Sequence, residues 1–401
     1  MPSPNRLHLT LLGVSATFTG VGLSRFSYSA LLPELIQQGW FSESDAAYLG
    51  AANLLGYAKG ALLASRLLRF RGATQLIRWA CVVIFASFLA CAWPTHFVVF
   101  FLARLLSGMA GGILLATAPP VILGLITRHR QRISGYVFSG IGLGIFLAAT
   151  LIPFTVKATL TGSWLMLAIL ALIPCGLWWR YGNACSIQRT ASSDHHSRNS
   201  SPGLSIAVIL VMLCYGLDAF GYIPHSLFWI DYLNRYLHFS YDASAFQWML
   251  FGFGAMISPI LIGSIAQKWG WHISLLTAFL IKTLCIAIPL FTHKIFLLSF
   301  SSFMVGALVP GMVSLVSGRL SELTPPTFQI RVWGMATAVF AITQGLSSYF
   351  FASVYGRDDT TLWLFMPASL VMLTATLIMI LLPWLPGSHR VVDEEQSRQA
   401  G

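Results

Sequence analysis

The chain has 401 residues, 56% of them hydrophobic and only 9% charged, against about a quarter charged in an average soluble protein, which excludes an ordinary soluble enzyme. A membrane helix uses roughly 20 apolar residues, so a dozen of them account for most of the hydrophobic positions. The formal charge of +11 does not mark a nucleic-acid partner, because that requires a solvated basic face with base-reading or stacking groups and here the charges fall between apolar stretches.

The composition therefore predicts an all-α polytopic membrane protein. The amino terminus, MPSPNR, leads into an apolar stretch with no small-residue cleavage site, which reads as a retained first span and not a signal peptide. Spans are predicted near 7–33, 44–65, 73–92, 96–126, 133–155 and 161–180. Six more follow near 204–230, 244–266, 271–291, 295–318, 332–355 and 361–385. This divides the chain into a six-helix bundle over 1–181, a linker over 182–203, a second six-helix bundle over 204–385 and a tail over 386–401. The linker, GNACSIQRTASSDHHSRNSSPG, is rich in Ser, Asn and Gly and reads as flexible; the tail is likewise polar. His195 and His196 lack enclosing ligands, so no metal is expected there. The six cysteines show neither CxxC spacing nor a secreted disulfide framework.

Lysine and arginine collect in cytoplasmic loops. Only Lys157, Arg235, Lys294 and Arg357 fall on one side of the predicted membrane, and Arg25, Lys59, Arg104 and Lys282 lie within spans. The remaining sixteen of the 24 lie on the side of the termini, so both termini are expected in the cytoplasm.

Two halves of six spans invite a search for a repeat. RFSYSALLP from Arg25 parallels DAFGYIP from Asp218, Asn53 with Gly60 parallels Gln247 with Gly254, and Arg132 with Gly135 parallels Arg331 with Gly334. These matches have offsets of 193 to 199 residues. Glycines spaced by four (Gly56 and Gly60, Gly108 and Gly112, Gly140 and Gly144) predict close helix contacts and suggest sliding surfaces near a moving interface.

Each charge at the centre of a span costs about 2.5 to 3.5 kcal/mol on insertion scales, so such residues are expected to face a polar interior. Arg25, Lys59, Arg104 and Lys282 against Asp218 leave an excess of positive charge, which attracts anions. Arginine grips a carboxylate with two parallel hydrogen bonds. Asp218, the acid inside a span, is the candidate for proton coupling, or else the salt-bridge partner of Arg25 or Arg104; an Arg25–Asp218 bridge across the bundles is the expected gate. The bland reading of each charge is snorkelling or a fixed interhelical ion pair.

The fourth span, LARLLSGMAGG from Leu102 to Gly112, is similar to the Arg-x-x-x-Gly pattern of that helix in the major facilitator superfamily. GVGLSRFSYSALLP (Gly20 to Pro33), YLGAANLLGYAKGALLASR (Tyr48 to Arg66), FGYIPHSLF (Phe220 to Phe228) and WGMATAVFAITQG (Trp333 to Gly345) resemble its YbfB/YjiJ-like branch of bacterial permeases. The resemblance implies twelve helices in two pseudo-symmetric bundles, alternating access, a bacterial inner-membrane location and no cofactor. By position it implies that Arg104 serves proton coupling or substrate binding, and that Arg25, Tyr28, Asn53, Lys59, Asp218, Tyr222 and Gln344 line the cavity. The loop SRLLRFRG from Ser65 to Gly72 departs from the superfamily, keeping the arginines but lacking the aspartate of the usual Gly-x-x-x-Asp-Arg latch. GIGLG from Gly140 to Gly144 lacks the proline common in drug/proton antiporters.

The leading expectation is a secondary active transporter of a small organic solute, with an anionic substrate and proton coupling as its open extensions and a monomer in the lipid bilayer as its working unit. The alternatives are a multidrug/proton antiporter using Asp218 and the aromatics Trp229, Trp248, Phe251 and Phe253, and a transporter-like receptor without flux. No GxxxxGK[ST] loop is present for ATP, and no HExxH or GxSxG motif for an enzyme; His225 reads as a packing or cavity-lining group.

Overall fold

In lipid each backbone N–H and C=O must be satisfied by a helix or a closed barrel, and continuous apolar runs of about 20 residues fit helices. The computed structural model describes residues 6–126, 130–185, 204–325, 328–357 and 359–385. Most of the 182–203 linker, His195 and His196 with it, and the tail beyond 385 lie outside the described residues.

Twelve helical segments run alternately between two faces. They are α1 (Arg6–Gln37), α2 (Glu43–Phe70), α3 (Ala73–Ala90), α4 (Phe97–Gly124), α5 (Arg130–Val156), α6 (Leu160–Tyr181), α7 (Ile206–Tyr236), α8 (Tyr241–Trp269), α9 (Trp271–Phe291), α10 (Ile295–Leu323), α11 (Gln329–Val354) and α12 (Thr360–Leu381). Among the described residues there is no strand. Eleven of the segments are long and apolar enough to cross a membrane. The other, α2, has 28 residues and lies along α4; Asn53, Lys59 and its tyrosines make it less apolar. Ser42, Thr159, Ser205 and Ser240 start α2, α6, α7 and α8 by accepting a backbone N–H three residues on, which satisfies donors the first helical turn leaves free.

The segments form two six-helix bundles that meet along α2 with α11 and α5 with α8. The face on which α1 begins and α12 ends is called the terminus face, and its opposite the far face. Neither α1 nor α7 is a regular helix. In α1 a π-helical stretch, Phe18–Leu23, precedes a break at Ser24–Phe26; in α7 the regular helix ends at Gly221 and π-helical turns follow at Pro224–Phe228 and Tyr232–Tyr236. Pro224 brings no N–H, and π-helical insertions are a standard source of helix bends. These irregular turns explain why both segments outrun the spans expected from hydropathy.

Glycines hold the bundles together from within. A Cβ on Gly56 or Gly60 of α2 would run into the backbone of Leu105 or Met109 of α4, and one on Gly108 or Gly112 of α4 into Asn53 or Tyr57 of α2. In the second bundle Gly254 meets Phe303 and Gly306 meets Phe251 in the same way. Gly254 follows Gly56 by 198 residues, and Gly306 follows Gly108 by 198. The sliding-surface expectation is therefore corrected. Gly56, Gly60, Gly108 and Gly112 lock α2 to α4, and Gly140 and Gly144 pack on α1, all inside one bundle; the glycine of this stretch that meets the other bundle is Gly142, against Met256. Gly108→Ala is expected to lower stability by about 1–3 kcal/mol through overpacking against backbone, read as a fall in melting temperature of the detergent-solubilised protein. Gly124→Ala, whose Cβ meets nothing within 4 Å, is the control expected to leave it unchanged.

Candidate functional site

The irregular turns of α1 and α7 face one another across the bundle interface. Arg25 sits at the α1 break and Tyr222 at the α7 break, 197 residues apart, and the Arg25 Nη2 donates to the Tyr222 hydroxyl. Ser29 donates to the Ser226 carbonyl at 2.6 Å and Gln37 Nε2 to Asn234 Oδ1 at 2.6 Å, each again 197 residues apart. Residues related by the repeat thus pair across its pseudo-two-fold axis. This corrects the sequence register. The offset of 193 that matched Arg25 with Asp218 is four residues short, as is the offset of 194 that matched Asn53 with Gln247. Four residues are about one helical turn, so the slipped alignment keeps the same helix face and sequence pattern does not expose it.

Arg25 is buried and belongs to no ion pair among the described residues. Its Nη1 donates to Gln344 Oε1 at 3.1 Å, and Gln344 Nε2 in turn donates to the Tyr222 hydroxyl. Its guanidinium carbon lies 4.6 Å from the Phe26 ring centre, 5.4 Å from Tyr222 and 5.9 Å from Tyr57, so rings hold the cation in place. Beside it lies a cavity of about 10 Å³, the room of one water molecule, lined by Arg25, Tyr28, Gly50, Asn53, Ser226 and others. Asn53 Nδ2 donates to the carbonyls of Ser24 and Arg104, whereas its Oδ1 is buried with no hydrogen-bond partner among the described residues. Five of the expected site residues, Arg25, Tyr28, Asn53, Tyr222 and Gln344, are therefore brought together.

Three others stand apart. Asp218 does not bridge to Arg25; it receives a hydrogen bond from Lys282 Nζ at 2.6 Å, both side chains being buried in the second bundle. This overturns the expected Arg25–Asp218 gate, because Asp218 lies one turn before Tyr222 and points to α9. Arg104 is fully buried behind Tyr28, its guanidinium 4.7 Å from the Tyr28 ring and 5.9 Å from Trp164. None of its side-chain nitrogens has a hydrogen-bond partner among the described residues, nor does Trp164 Nε1. Arg104 is thus an aromatic-boxed cation inside the first bundle and not a lining residue of this cavity. Lys59 is exposed, outside the cluster, as the snorkelling reading has it.

Lys282 is the member that the sequence reading left out of the site. Its Nζ lies 4.8 Å from the Tyr222 ring centre, which connects the ion pair to the Arg25 cluster. The signal was available, since a lone acid among several bases within the spans must take one of them as partner. The aromatics considered for a drug-binding cavity serve packing instead. Trp248 Nε1 donates to the Phe26 carbonyl at 3.3 Å and stacks on Phe251 at 4.5 Å, and Trp229 stacks on His225 at 4.2 Å. His225 Nε2 shares a hydrogen bond with Ser301 at 2.8 Å.

Residues 17–381 match the family model described as the uncharacterised MFS-type transporter YbfB. The chain belongs to the major facilitator superfamily. It is similar to the crystal structure of a D-xylose–proton symporter, with a TM-score of 0.71 and 19% identity over 96% of this chain and 98% of that one. The inward-open xylose transporter XylE from E. coli is similar too, with a TM-score of 0.71 and 18% identity over 94% and 96% of the two chains. No curated protein matches. At such identities the likeness shows the fold.

As a superfamily transporter, the chain is caught with its far face sealed. Arg235 at the end of α7 binds Asp231 through two nitrogens at 2.6 and 2.5 Å and also pairs with Glu43 at the start of α2, in the other bundle. Tyr236 donates to Glu43 at 3.1 Å and Tyr355 donates to Asp231. Gly356, at φ 83°, turns the chain directly over the Glu43 carboxylate, where a side chain would both strain the backbone and collide. Lys157 and Asp242 add a surface pair at 3.0 Å, and Tyr241 donates to the Ala30 carbonyl at 2.7 Å. These polar contacts between bundles lie at the level of Arg25 or beyond it toward the far face; on the terminus side the bundles still meet where Gly142 faces Met256 and Gly135 faces Pro259, while Lys59, Leu62 and Leu63 of α2 are exposed.

Proposed function

We propose that the protein is a secondary active transporter of a small organic carboxylate, moved by alternating access through the site at Arg25. The observation that carries this reading is the charge balance at the midplane. Asp218 is cancelled by Lys282, while Arg25 reaches the cavity with only neutral partners. A guanidinium in a low-dielectric cleft with no counter-ion selects an anion, and a carboxylate matches its two parallel N–H groups. The unpaired Asn53 Oδ1 at the same cavity suits a hydroxyl on that solute. The exporter of lipophilic cations lacks support, because the carboxylate it would use is already paired.

In this reading the terminus face is cytoplasmic and the membrane is the bacterial inner membrane. Arg66, Arg71, Arg78, Arg132 and Arg180 lie toward the terminus face, and on the far face Lys157 and Arg235 are neutralised by acids, which agrees with the positive-inside rule. The two bundles act as units joined by the 182–203 linker, and protons are the candidate coupling ion through the Asp218–Lys282 pair.

The test is counterflow in proteoliposomes with matched panels of monocarboxylates, neutral sugars and lipophilic cations. Carboxylate exchange is expected, and Arg25→Gln is expected to weaken it about ten-fold or more, the loss of one charge-assisted interaction. Exchange of cations or neutral sugars alone, indifferent to Arg25→Gln, overturns the carboxylate reading.

A further inference from the structure

We infer that Gln344 and Tyr222 occupy the carboxylate position on Arg25 while the carrier is empty, as an internal stand-in that the substrate displaces; this rests on the carboxylate reading above. Two neutral oxygens, Gln344 Oε1 and Tyr222 Oη, sit on the two terminal nitrogens of one guanidinium, as the two oxygens of a carboxylate do in a bidentate pair. Gln344 Nε2 donates to Tyr222 Oη, which ties the two oxygens into one unit. Gln344 and Tyr222 are both fully buried, and Arg25 keeps a small exposed area on the adjoining cavity.

The exchange has a direction. Both kinds of partner accept charge-assisted hydrogen bonds from the guanidinium, but a carboxylate adds a full negative charge whose attraction is strong in a low-dielectric cleft, so a desolvated carboxylate outcompetes the amide and the phenol. Phe26, Tyr57 and Tyr222 rings flank the cation, and the first two hold it in place while its acceptors change. The partners also come from different bundles: Arg25 from α1, Tyr222 from α7 and Gln344 from α11. The empty carrier is therefore clasped at the midplane by a bond between its moving parts. Binding substitutes a bond to substrate for the bond between bundles, so that recognition and release of the clasp are one event. A cavity of about 10 Å³ is too small for an organic acid, and withdrawal of the stand-in is what makes the room.

The consequence is that removing a side chain from the site strengthens binding. Dissociation constants for propionate, lactate and benzoate are measured by thermal shift and calorimetry on the full chain in detergent. Against wild type, Gln344→Ala is expected to bind on the order of ten-fold tighter, the equivalent of one competing hydrogen bond to a charged group. Tyr222→Phe, a conservative change that keeps the ring under Arg25, is expected to move in the same direction. Gln344→Glu places a tethered carboxylate on Arg25 and is expected to abolish binding while eluting as a monodisperse protein. Weaker or unchanged binding by both Gln344→Ala and Tyr222→Phe, with wild type binding normally, overturns the stand-in and leaves the carboxylate reading intact. A wild-type protein that binds no carboxylate overturns both together.

Discussion

Asp218→Asn is expected to destabilise the protein by about 3–5 kcal/mol, the cost of leaving one member of a buried ion pair without its partner. Lys282 and Asp218 meet at 2.6 Å with side chains 0% and 2% exposed, so neither charge has water to fall back on. Lys282→Met is expected to cost a similar amount, because it leaves the carboxylate instead. The double variant Asp218→Asn/Lys282→Met removes both charges and is expected to recover most of the loss, since apolar replacement of a whole buried pair is often neutral or better. Melting temperatures of the four proteins close the cycle; two single-variant losses that simply add in the double show that the residues do not act as a pair. The double variant then tests coupling free of misfolding. If the pair carries the proton, the refolded double variant exchanges substrate but no longer accumulates it against a pH gradient. Undiminished gradient-driven uptake removes Asp218 from the coupling step.

Arg235→Met is expected to shift the carrier toward a far-face-open state by about 1.5 kcal/mol, the lower end for a hydrogen bond to a charged group, because its interbundle partner Glu43 is partly exposed. Asp231 is fully buried and takes two hydrogen bonds from Arg235, and Glu43 takes its interbundle partner from the same guanidinium. One substitution thus removes the ion pair between the bundles, leaving Tyr236 on Glu43, and leaves a buried carboxylate whose remaining hydrogen bond among the described residues comes from Tyr355. Distances between spin labels on the far-face ends of α2 and α8 are expected to lengthen and broaden. Lys157→Ala is the contrast. That pair is 61% and 63% exposed, and exposed pairs contribute about 0–1 kcal/mol, so its far-face distances are expected to stay as in wild type. Equal effects of the two substitutions reject Arg235 as the principal closure.

Much of the candidate site was legible from one physical rule, that a charge placed mid-span needs a polar reason to be there. That rule found Arg25 and Asp218 and pointed at Arg104 and Lys282. It misassigned the partners because it is silent about which turn faces which neighbour. Arg25 was matched with Asp218, but the true repeat, with residues 197 apart meeting at the axis, sets Tyr222 opposite Arg25 and turns Asp218 toward α9. Lys59 falls under the same rule yet is exposed, as a lysine with a long apolar stem can be near the end of a span. Arg104 meets the rule in a third way, boxed by Tyr28 and Trp164. Glycines were also read correctly as close contacts and wrongly as sliding ones, since a spacing of four marks a flat helix face and not the helix that lies against it.

The all-helical membrane fold, the number of spans and the resemblance to the superfamily are legible in the order of residues alone. These follow from hydropathy and local motifs, which add up along the chain and need no knowledge of neighbours. Helix packing in three dimensions was needed to pair Lys282 with Asp218, to bring Tyr222 and Gln344 to Arg25, and to place Arg235 between the bundles on the far face. Each of those pairings joins residues from different helices, and its strength depends on distances that a shift of one helical turn would destroy while leaving the pattern of apolar residues unchanged.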